Sequence, residues 1–432
     1  LKVKLAYGKR GLTLKIPDGF HTDVIQPRFV EGIRDQAGAV TEALRSPLQC
    51  KPLKQLAGRR TQIAIIFSDI TRATPYSVIL PALLKELSHV PPQNIVFFCA
   101  TGTHRPVTEK ELLIILGREV TDTYRVVQNN ATDPDQFVHI GNNSSGNEIY
   151  LNLELASCDL KILTGFIEPH FFMGFSGGGK AVMPGMAMLE TIRFNHSISM
   201  LEHENARWGI TDGNPLWEDV REAAEHLPGL FLMNVTLNRN KKITRVFAGS
   251  LRAAHRKGCA FARKTAMVPV DEPYDLVITS NSGYPLDLNI YQSVKGMSAA
   301  AQIVKKGGEI LIAAECWDGI PAGSDYEKIL MAAGNTNALY SYIKKHEDEL
   351  GDTWQVFFQA LIQQKANVSL YTRRLDDATV RRALLNPVDD PGLLVEKILR
   401  EKGKKARVCV MPEGPQTIPF IRDQQPLSKF KP

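Results

Sequence analysis

The sequence predicts an α/β protein of two domains, with parallel or mixed sheets flanked by helices and an active site in the interdomain cleft. Three observations support this. At 432 residues the chain exceeds what one ordinary core fills. Short apolar runs recur along it, each followed by polar or glycine-rich residues and then by helical periodicity, the pattern of buried parallel strands. The reactive side chains gather just past the ends of these runs, where doubly wound sheets bind ligands.

Taken in order, the first run is Gln62–Phe67 (QIAIIF), which ends in Ser68-Asp69-Ile70-Thr71-Arg72. Asn94–Ala100 (NIVFFCA) ends in Thr101-Gly102-Thr103-His104, and Leu160–Thr164 (LKILT) leads through Gly165 to Glu168-Pro169-His170. Asp275–Thr279, Ile310–Ala314 and Val408–Met411 are further strands. Asp69, Arg72, His104 and His170 therefore all follow a strand end. Helix starts are legible too. Thr108-Glu109-Lys110-Glu111 is a capping box before Leu112–Leu116. Asn289-Ile290-Tyr291-Gln292 is a similar box, and Val294, Met297, Ala301 and Val304 form one apolar face before Gly307-Gly308 stops the helix. Val-Pro-Val and Glu-Pro within Met267–Tyr274 mark a boundary. The expected division is residues 1–268, residues 269–400, and a segment 401–432 that packs back on the first domain. Asn386–Pro391 and Gln424–Pro432 read as connectors.

Composition narrows the class. Apolar and charged contents of 44% and 23% are those of a soluble globular protein. A net charge of +6 is modest, and the cluster Lys402, Lys404, Lys405 and Arg407 reads as a solvated face. No nucleic-acid motif is present. Six cysteines without paired spacing read as small buried hydrophobes in a reducing compartment. Leu1–Gly19 alternates apolar and basic residues, unlike a signal peptide, and no run reaches transmembrane length, so a cytoplasmic location with no membrane partner is expected.

Gly174–Ala181 (GFSGGGKA) matches GxxxxGK, the start of a phosphate-binding loop. The Ser or Thr that would hold magnesium is Ala181, and Val182-Met183-Pro184-Gly185 breaks the chain where a helix should open. What survives is a turn whose glycines let backbone N–H groups approach an anion, with Lys180 as a positive charge or a nucleophilic amine. Of the ten histidines, His21, His89, His139, His203, His226, His255 and His346 read as surface or packing residues. His104, His170 and His196 stand beside suspected loops, and imidazole suits both proton transfer and nickel. Their spacing matches no zinc pattern.

These pieces resemble the lactate racemase family that uses a nickel-pincer nucleotide. The resemblance spans nearly the whole chain and is carried by DITRATP (Asp69–Pro75), TGTHRP (Thr101–Pro106), EPHFFMGFSGGGKAVMPG (Glu168–Gly185), NH (Asn195–His196) and YQSVKG (Tyr291–Gly296). Trp354 corresponds more loosely to an active-site Trp. The resemblance implies a cofactor, pyridinium-3-thioamide-5-thiocarboxylic acid mononucleotide nickel, joined to the Lys180 amine as a thioamide. It implies that His196 completes a roughly planar set of ligands around nickel, a geometry nickel(II) favours. Asp69, Thr71, Ser176, Gly177, Gly178, Gly179 and Trp354 are then expected to contact the cofactor, its phosphate resting on the glycine turn and nearby strand ends.

The implied activity is racemisation or epimerisation of a small 2-hydroxy acid, lactate first, by reversible hydride transfer through a 2-keto acid. Removing a proton from C2 is hard beside a carboxylate, and moving a hydride avoids that carbanion. His104 or His170 takes the hydroxyl proton as general base. Two bases suit two stereoisomers whose hydroxyls point differently. Arg72 and Lys295 suit the substrate carboxylate. Tyr291 and Lys295 are four apart and share a helix face, with Gln292 beside them, and Trp354 is expected to shield the pyridinium ring. Enzymes that build and load the cofactor are the implied partners. Two rival readings stand beside this one: a nucleotide-dependent enzyme built on the glycine-lysine loop, and a non-catalytic protein of this fold that binds an organic acid.

Overall fold

Buried apolar runs set the architecture, because a strand covered on both faces must pair its backbone groups on both edges. The structure, a computed structural model, describes residues 1–321, 323–347 and 349–422. It divides into two compact units. A middle unit holds Phe29–Glu168 and Phe172–Thr265, and a terminal unit holds Leu1–Arg28, Pro169–Phe171 and the chain from Ala266 on.

The middle unit is built on a six-stranded sheet in the order Ile243–Gly249, Leu230–Leu237, Leu160–Phe166, Ile63–Ser68, Ile95–Ala100, Arg125–Gln128. All neighbours are parallel except Leu230–Leu237 with Ile243–Gly249. The three expected strands appear here nearly as read, and their interiors are buried. Ile65, Phe67, Phe97 and Ile162 lie in one core cluster of this unit. From Ile63–Ser68 the chain builds the sheet in one direction, and from Leu160–Phe166 in the other. Their paired carboxyl ends form the topological switch point, where open α/β sheets place ligands. The helix Glu109–Leu116 starts at the expected capping box, with Thr108 Oγ1 accepting from Glu111 N and Glu111 bonding back.

In the terminal unit six parallel strands run in the order Asn386–Val388, Ala366–Tyr371, Val304–Ala313, Tyr274–Ser280, Arg407–Met411, His21–Val24. Three expectations are corrected here. The described residues of the expected segment 401–432 belong to the terminal unit. Arg407–Met411 lies inside this sheet, where Val408-Cys-Val-Met411 finds partners on both edges. Leu1–Arg28 also belongs to this unit, through the edge strand His21–Val24 and a hairpin whose Val3, Leu5, Leu12 and Leu14 join its core. Asn386–Pro391 is no connector. Asn386–Val388 is an edge strand, where Pro387 is tolerated, and Pro391 opens the helix Pro391–Lys402 behind its cap Asp390. Gln424–Pro432 lies outside the described residues.

The helix capped by Asn289 spans Ile290–Ala301, and all twelve of its residues are buried. It stops well before Gly307. Val304 begins the strand Val304–Ala313 instead, with Gly307 and Gly308 inside it. The β-branched pair Ile303-Val304 favours extended backbone, so the helical spacing of Val304 was coincidental. All six cysteines are free and five are buried. No helix among the described residues is long and apolar enough to cross a membrane.

Candidate active site

Asp69, Thr71, Arg72 and His104 among the predicted residues gather at the switch point of the middle sheet. Asp69 follows Ile63–Ser68 and is buried. Its Oδ1 accepts from Thr71 N at 3.1 Å and Thr71 Oγ1 at 2.6 Å, and its Oδ2 lies 2.5 Å from His104 Nδ1. Burial alone would raise this carboxyl. The His104 charge and hydrogen bond, with Arg72 and Thr71, outweigh burial and hold it well below the usual carboxylate range. Across the switch, Glu168 follows Leu160–Phe166, and its Oε1 meets Arg72 Nη1 at 3.4 Å.

The glycine turn is tied to the same strand ends. Ser176 N donates to Glu168 O at 2.8 Å. Ser176 Oγ accepts from Glu168 N and donates to Phe166 O, both at 3.0 Å. Gly178 N donates to Asn234 Oδ1 at 2.8 Å, and Lys180 N to Gly177 O at 3.2 Å. Gly177 and Gly178 have φ of 77° and 59°, a region L side chains rarely adopt. Behind them a Cβ on Gly177 would meet Asn234 Oδ1 at 2.5 Å, and one on Gly178 would meet His255 Cδ2 at 2.7 Å. The hydroxyl of Ser176 is already engaged by the backbone, so it shapes the turn. The Gly178 and Lys180 N–H groups are committed within the protein, so the turn's main product is the placement of Lys180. Gly178–Ala181 is a single tight 3₁₀ turn, followed at once by Val182 and a cis Met183–Pro184 bond, so no helix opens at the lysine.

Lys180 and His196 meet at one aromatic ring. The Lys180 amine lies against Met173 Sδ and 5.8 Å from the Phe172 ring centroid. His196, at the C-terminal end of Leu189–Asn195, packs edge-on to the same ring with centroids 5.3 Å apart. Although Lys180 as a residue keeps some exposure, its amine is deep. Burial first, then the Arg72 charge, push it down to about 7 against an opposing pull from Glu168. Burial and Lys180 push His196 down to about 3. His196 Nδ1 lies 3.1 Å from Ile192 O, which fixes the tautomer with the proton on Nδ1 and the lone pair on Nε2. His196 is thus a neutral base at pH 7, and Lys180, titrating near 7, is unprotonated in a substantial fraction there.

The remaining predicted residues lie in the terminal unit. Lys295 Nζ donates to Gln292 Oε1 at 2.7 Å, and both are buried. Tyr291 Oη accepts from Trp354 Nε1 at 3.0 Å and also bonds Asp352. Burial, then the Asp352 charge, raise this phenol well above its ordinary value. His170 is buried and stacks on Phe171 with centroids 5.0 Å apart, and Phe171 packs edge-on to Phe358. The looser assignment of Trp354 is therefore brought beside Tyr291, in one group with Gln292 and Lys295 near the start of one helix.

Sequence reasoning missed three supports. Asn234 stands alone in the apolar strand Leu230–Leu237, an isolated polar residue that was the available signal. His255 donates from Nε2 to Ser176 O at 2.9 Å, and burial pushes it down to about 4. Trp217 stacks on His255 at 4.4 Å. Among the described residues no group of three or more His, Cys, Asp or Glu side chains is placed to hold a metal ion. A single imidazole such as His196 suits a metal that brings its other ligands with it.

Comparison with known proteins gives a consistent answer. Residues 7–209 match the family model of the lactate racemase N-terminal domain, and residues 270–418 that of the lactate racemase C-terminal domain. A lactate racemase of Thermoanaerobacterium thermosaccharolyticum is 34% identical over 429 residues, covering 96% of this chain and 98% of that protein. One from Lactiplantibacillus plantarum is 34% identical over 426 residues, covering 95% and 98%. The solved lactate racemase apoprotein of Thermoanaerobacterium thermosaccharolyticum superposes with a TM-score of 0.87 at 33% identity, covering 97% of this chain and 100% of that one. A Thermotoga maritima protein shares the fold at a TM-score of 0.71 and 19% identity, over 91% of this chain and 100% of its own. By these matches the chain belongs to the lactate racemase family and is an isomerase of the racemase kind.

Proposed function

We propose that this protein racemises lactate, or a 2-hydroxy acid of similar size, using a nickel-pincer nucleotide tethered to Lys180. The observation that carries the reading is the meeting of Lys180 and His196 on the Phe172 ring, where burial pushes both toward their unprotonated forms. A neutral amine is the form that acylates, and a neutral imidazole with its lone pair on Nε2 is the form that binds a metal. When bound, the pincer nucleotide supplies an electrophilic ring carbon that accepts a hydride from C2 and gives it back. Every other task falls to the chain.

His104 and His170 take up and return the hydroxyl proton, one serving each stereoisomer. Arg72 and Lys295 hold the substrate carboxylate so that C2 can turn only about a fixed anchor. Glu168 pairs with Arg72 until that carboxylate arrives, through a single long contact of 3.4 Å between side chains that are 7% and 18% exposed. Tyr291 and Trp354 form a rigid, bonded pair suited to covering the cofactor ring, and Gln292 fixes the Lys295 ammonium. Enzymes that make the cofactor must load it.

The deciding experiment loads the protein with cofactor and screens single-enantiomer 2-hydroxy acids by circular dichroism, with intact mass as the second readout. Loss of optical activity with lactate and a cofactor adduct on Lys180 are expected. Lys180→Ala should abolish the adduct, and His196→Ala should keep the adduct while losing nickel. An adduct-free protein that racemises, or a loaded one that leaves every enantiomer unchanged, would overturn the proposal.

A further inference from the structure

We propose that Asp69 is the orienting carboxylate of His104, holding its Nδ1–H so that Nε2 exchanges the substrate's hydroxyl proton. The inference rests on the racemase reading above. Both oxygens of Asp69 are spent within the protein. Oδ1 receives two donors from Thr71, which stop the carboxylate from rotating, and Oδ2 faces His104 Nδ1 at 2.5 Å. A turn-forming role accounts for Oδ1 alone. It leaves the short bond from Oδ2 to an imidazole 35 residues away unexplained.

Burial runs in the direction such a pair requires. The Asp69 side chain is 8% exposed and the His104 side chain 28%. The acceptor is the enclosed partner, and the base is the one that solvent or substrate reaches. When His104 takes the hydroxyl proton on Nε2, the imidazolium charge forms beside a fixed carboxylate and needs no rearrangement to be stabilised. The proton leaves the substrate oxygen for Nε2 and returns along the same path. Asp69 stays ionised throughout, in keeping with the depression of its carboxyl.

Asp69→Asn is an informative variant because Thr71 dictates how the amide sits. The Thr71 N–H can only donate, so the amide oxygen must face it and the NH₂ must face His104. Nδ1 is then forced to accept, and the proton moves to Nε2, where a base cannot carry it. In the apoprotein, proton and nitrogen NMR of His104 should show a strongly downfield Nδ1–H in the natural sequence and the opposite tautomer in Asp69→Asn. After loading, Asp69→Asn should retain the Lys180 adduct and nickel, keep KM within about threefold, and lose roughly 10²–10⁴-fold in kcat. An unmodified protein whose His104 carries its proton on Nε2 overturns the inference without any variant. So does an Asp69→Asn protein that folds but fails to load, or one that turns over at the natural rate. The Nδ1–H signal without racemisation of any 2-hydroxy acid sinks the base role together with the reading beneath it. Racemisation without that signal sinks the role of Asp69 alone.

Discussion

Gly178→Ala tests how rigidly the lysine turn is backed. The backbone there has φ of 59°, and a Cβ would stand 2.7 Å from His255 Cδ2, 2.9 Å from His255 Cγ and 2.9 Å from Trp217 Cη2. Neither ring can yield cheaply. They stack at 4.4 Å, both are buried, and His255 is bonded to Ser176 O within the same turn. Left-handed backbone costs an alanine roughly 1–2 kcal/mol, and forcing a methyl into a packed site costs about 1–3 kcal/mol more. The expected loss is therefore roughly 2–5 kcal/mol, serious against a typical total of about 5–15 kcal/mol. Gly334→Ala is the matched control, since Gly334 is left-handed with φ of 67° and has open space around its absent Cβ, so it carries the backbone cost alone. Urea unfolding of both apoproteins, compared at equal m, isolates the clash. The Gly178 variant should be the less stable by about 1–3 kcal/mol and should attach cofactor to Lys180 more slowly. Equal midpoints for the two variants would refute the claim that the aromatic pair fixes the turn.

Lys180 provides a pH test in the apoprotein. Its amine ionises near 7 when folded and near 10.5 when unfolded. Its burial therefore costs nothing above the higher value, costs progressively more as pH falls between the two, and costs the full amount below about 7. Lys180→Met should accordingly be more stable than the natural protein at pH 7 and show a flatter stability profile up to pH 10; a less stable variant at pH 7 contradicts the assignment. Pulse acetylation followed by peptide mass mapping should label Lys180 with a midpoint near 7, well below the exposed lysines. Among the histidines, His104→Ala and His170→Ala should each keep adduct and nickel while losing turnover. Continued racemisation by the double variant, measured by circular dichroism, would remove both from the proton path.

The parts of the fold set by local chemistry were readable in the sequence, and the parts set by distant partners were not. QIAIIF and NIVFFCA have only one use in a domain of this size, so their strands and the loops after them could be placed, and with them Asp69, Arg72 and His104. The Thr108 capping box is equally local. Leu230–Leu237 escaped notice because Asn234 interrupts its apolar run, and that residue is polar because it must accept the Gly178 N–H. Val408–Met411 was legible as a strand but not as a member of the terminal sheet, since its neighbours Tyr274–Ser280 and His21–Val24 are far off in sequence. Residue types could nominate Ser176 and Asp69 for the site. They could not show that the Ser176 hydroxyl is spent on Glu168 and Phe166, or that Asp69 faces His104.

The charges of the middle unit divide the site by function. Around Asp69 the carboxylate is ionised, anchored by Thr71 and facing an imidazole whose side chain is 28% exposed. Around Phe172 the groups are bases pushed toward their unprotonated forms. A cation there loses hydration, so burial drives Lys180 and His196 the same way, and the Lys180 charge adds to the pressure on His196. Arg72 adds to the pressure on Lys180, and Glu168 relieves part of it. That balance has a consequence. Were Glu168 absent, Lys180 would be neutral at still lower pH, but Arg72 would lose its 3.4 Å partner and face the amine uncompensated. Glu168 thus holds Arg72 in place while only partly countering its pressure on Lys180. On the proposed reading, one guanidinium can then wait for a carboxylate beside an amine that must stay a nucleophile.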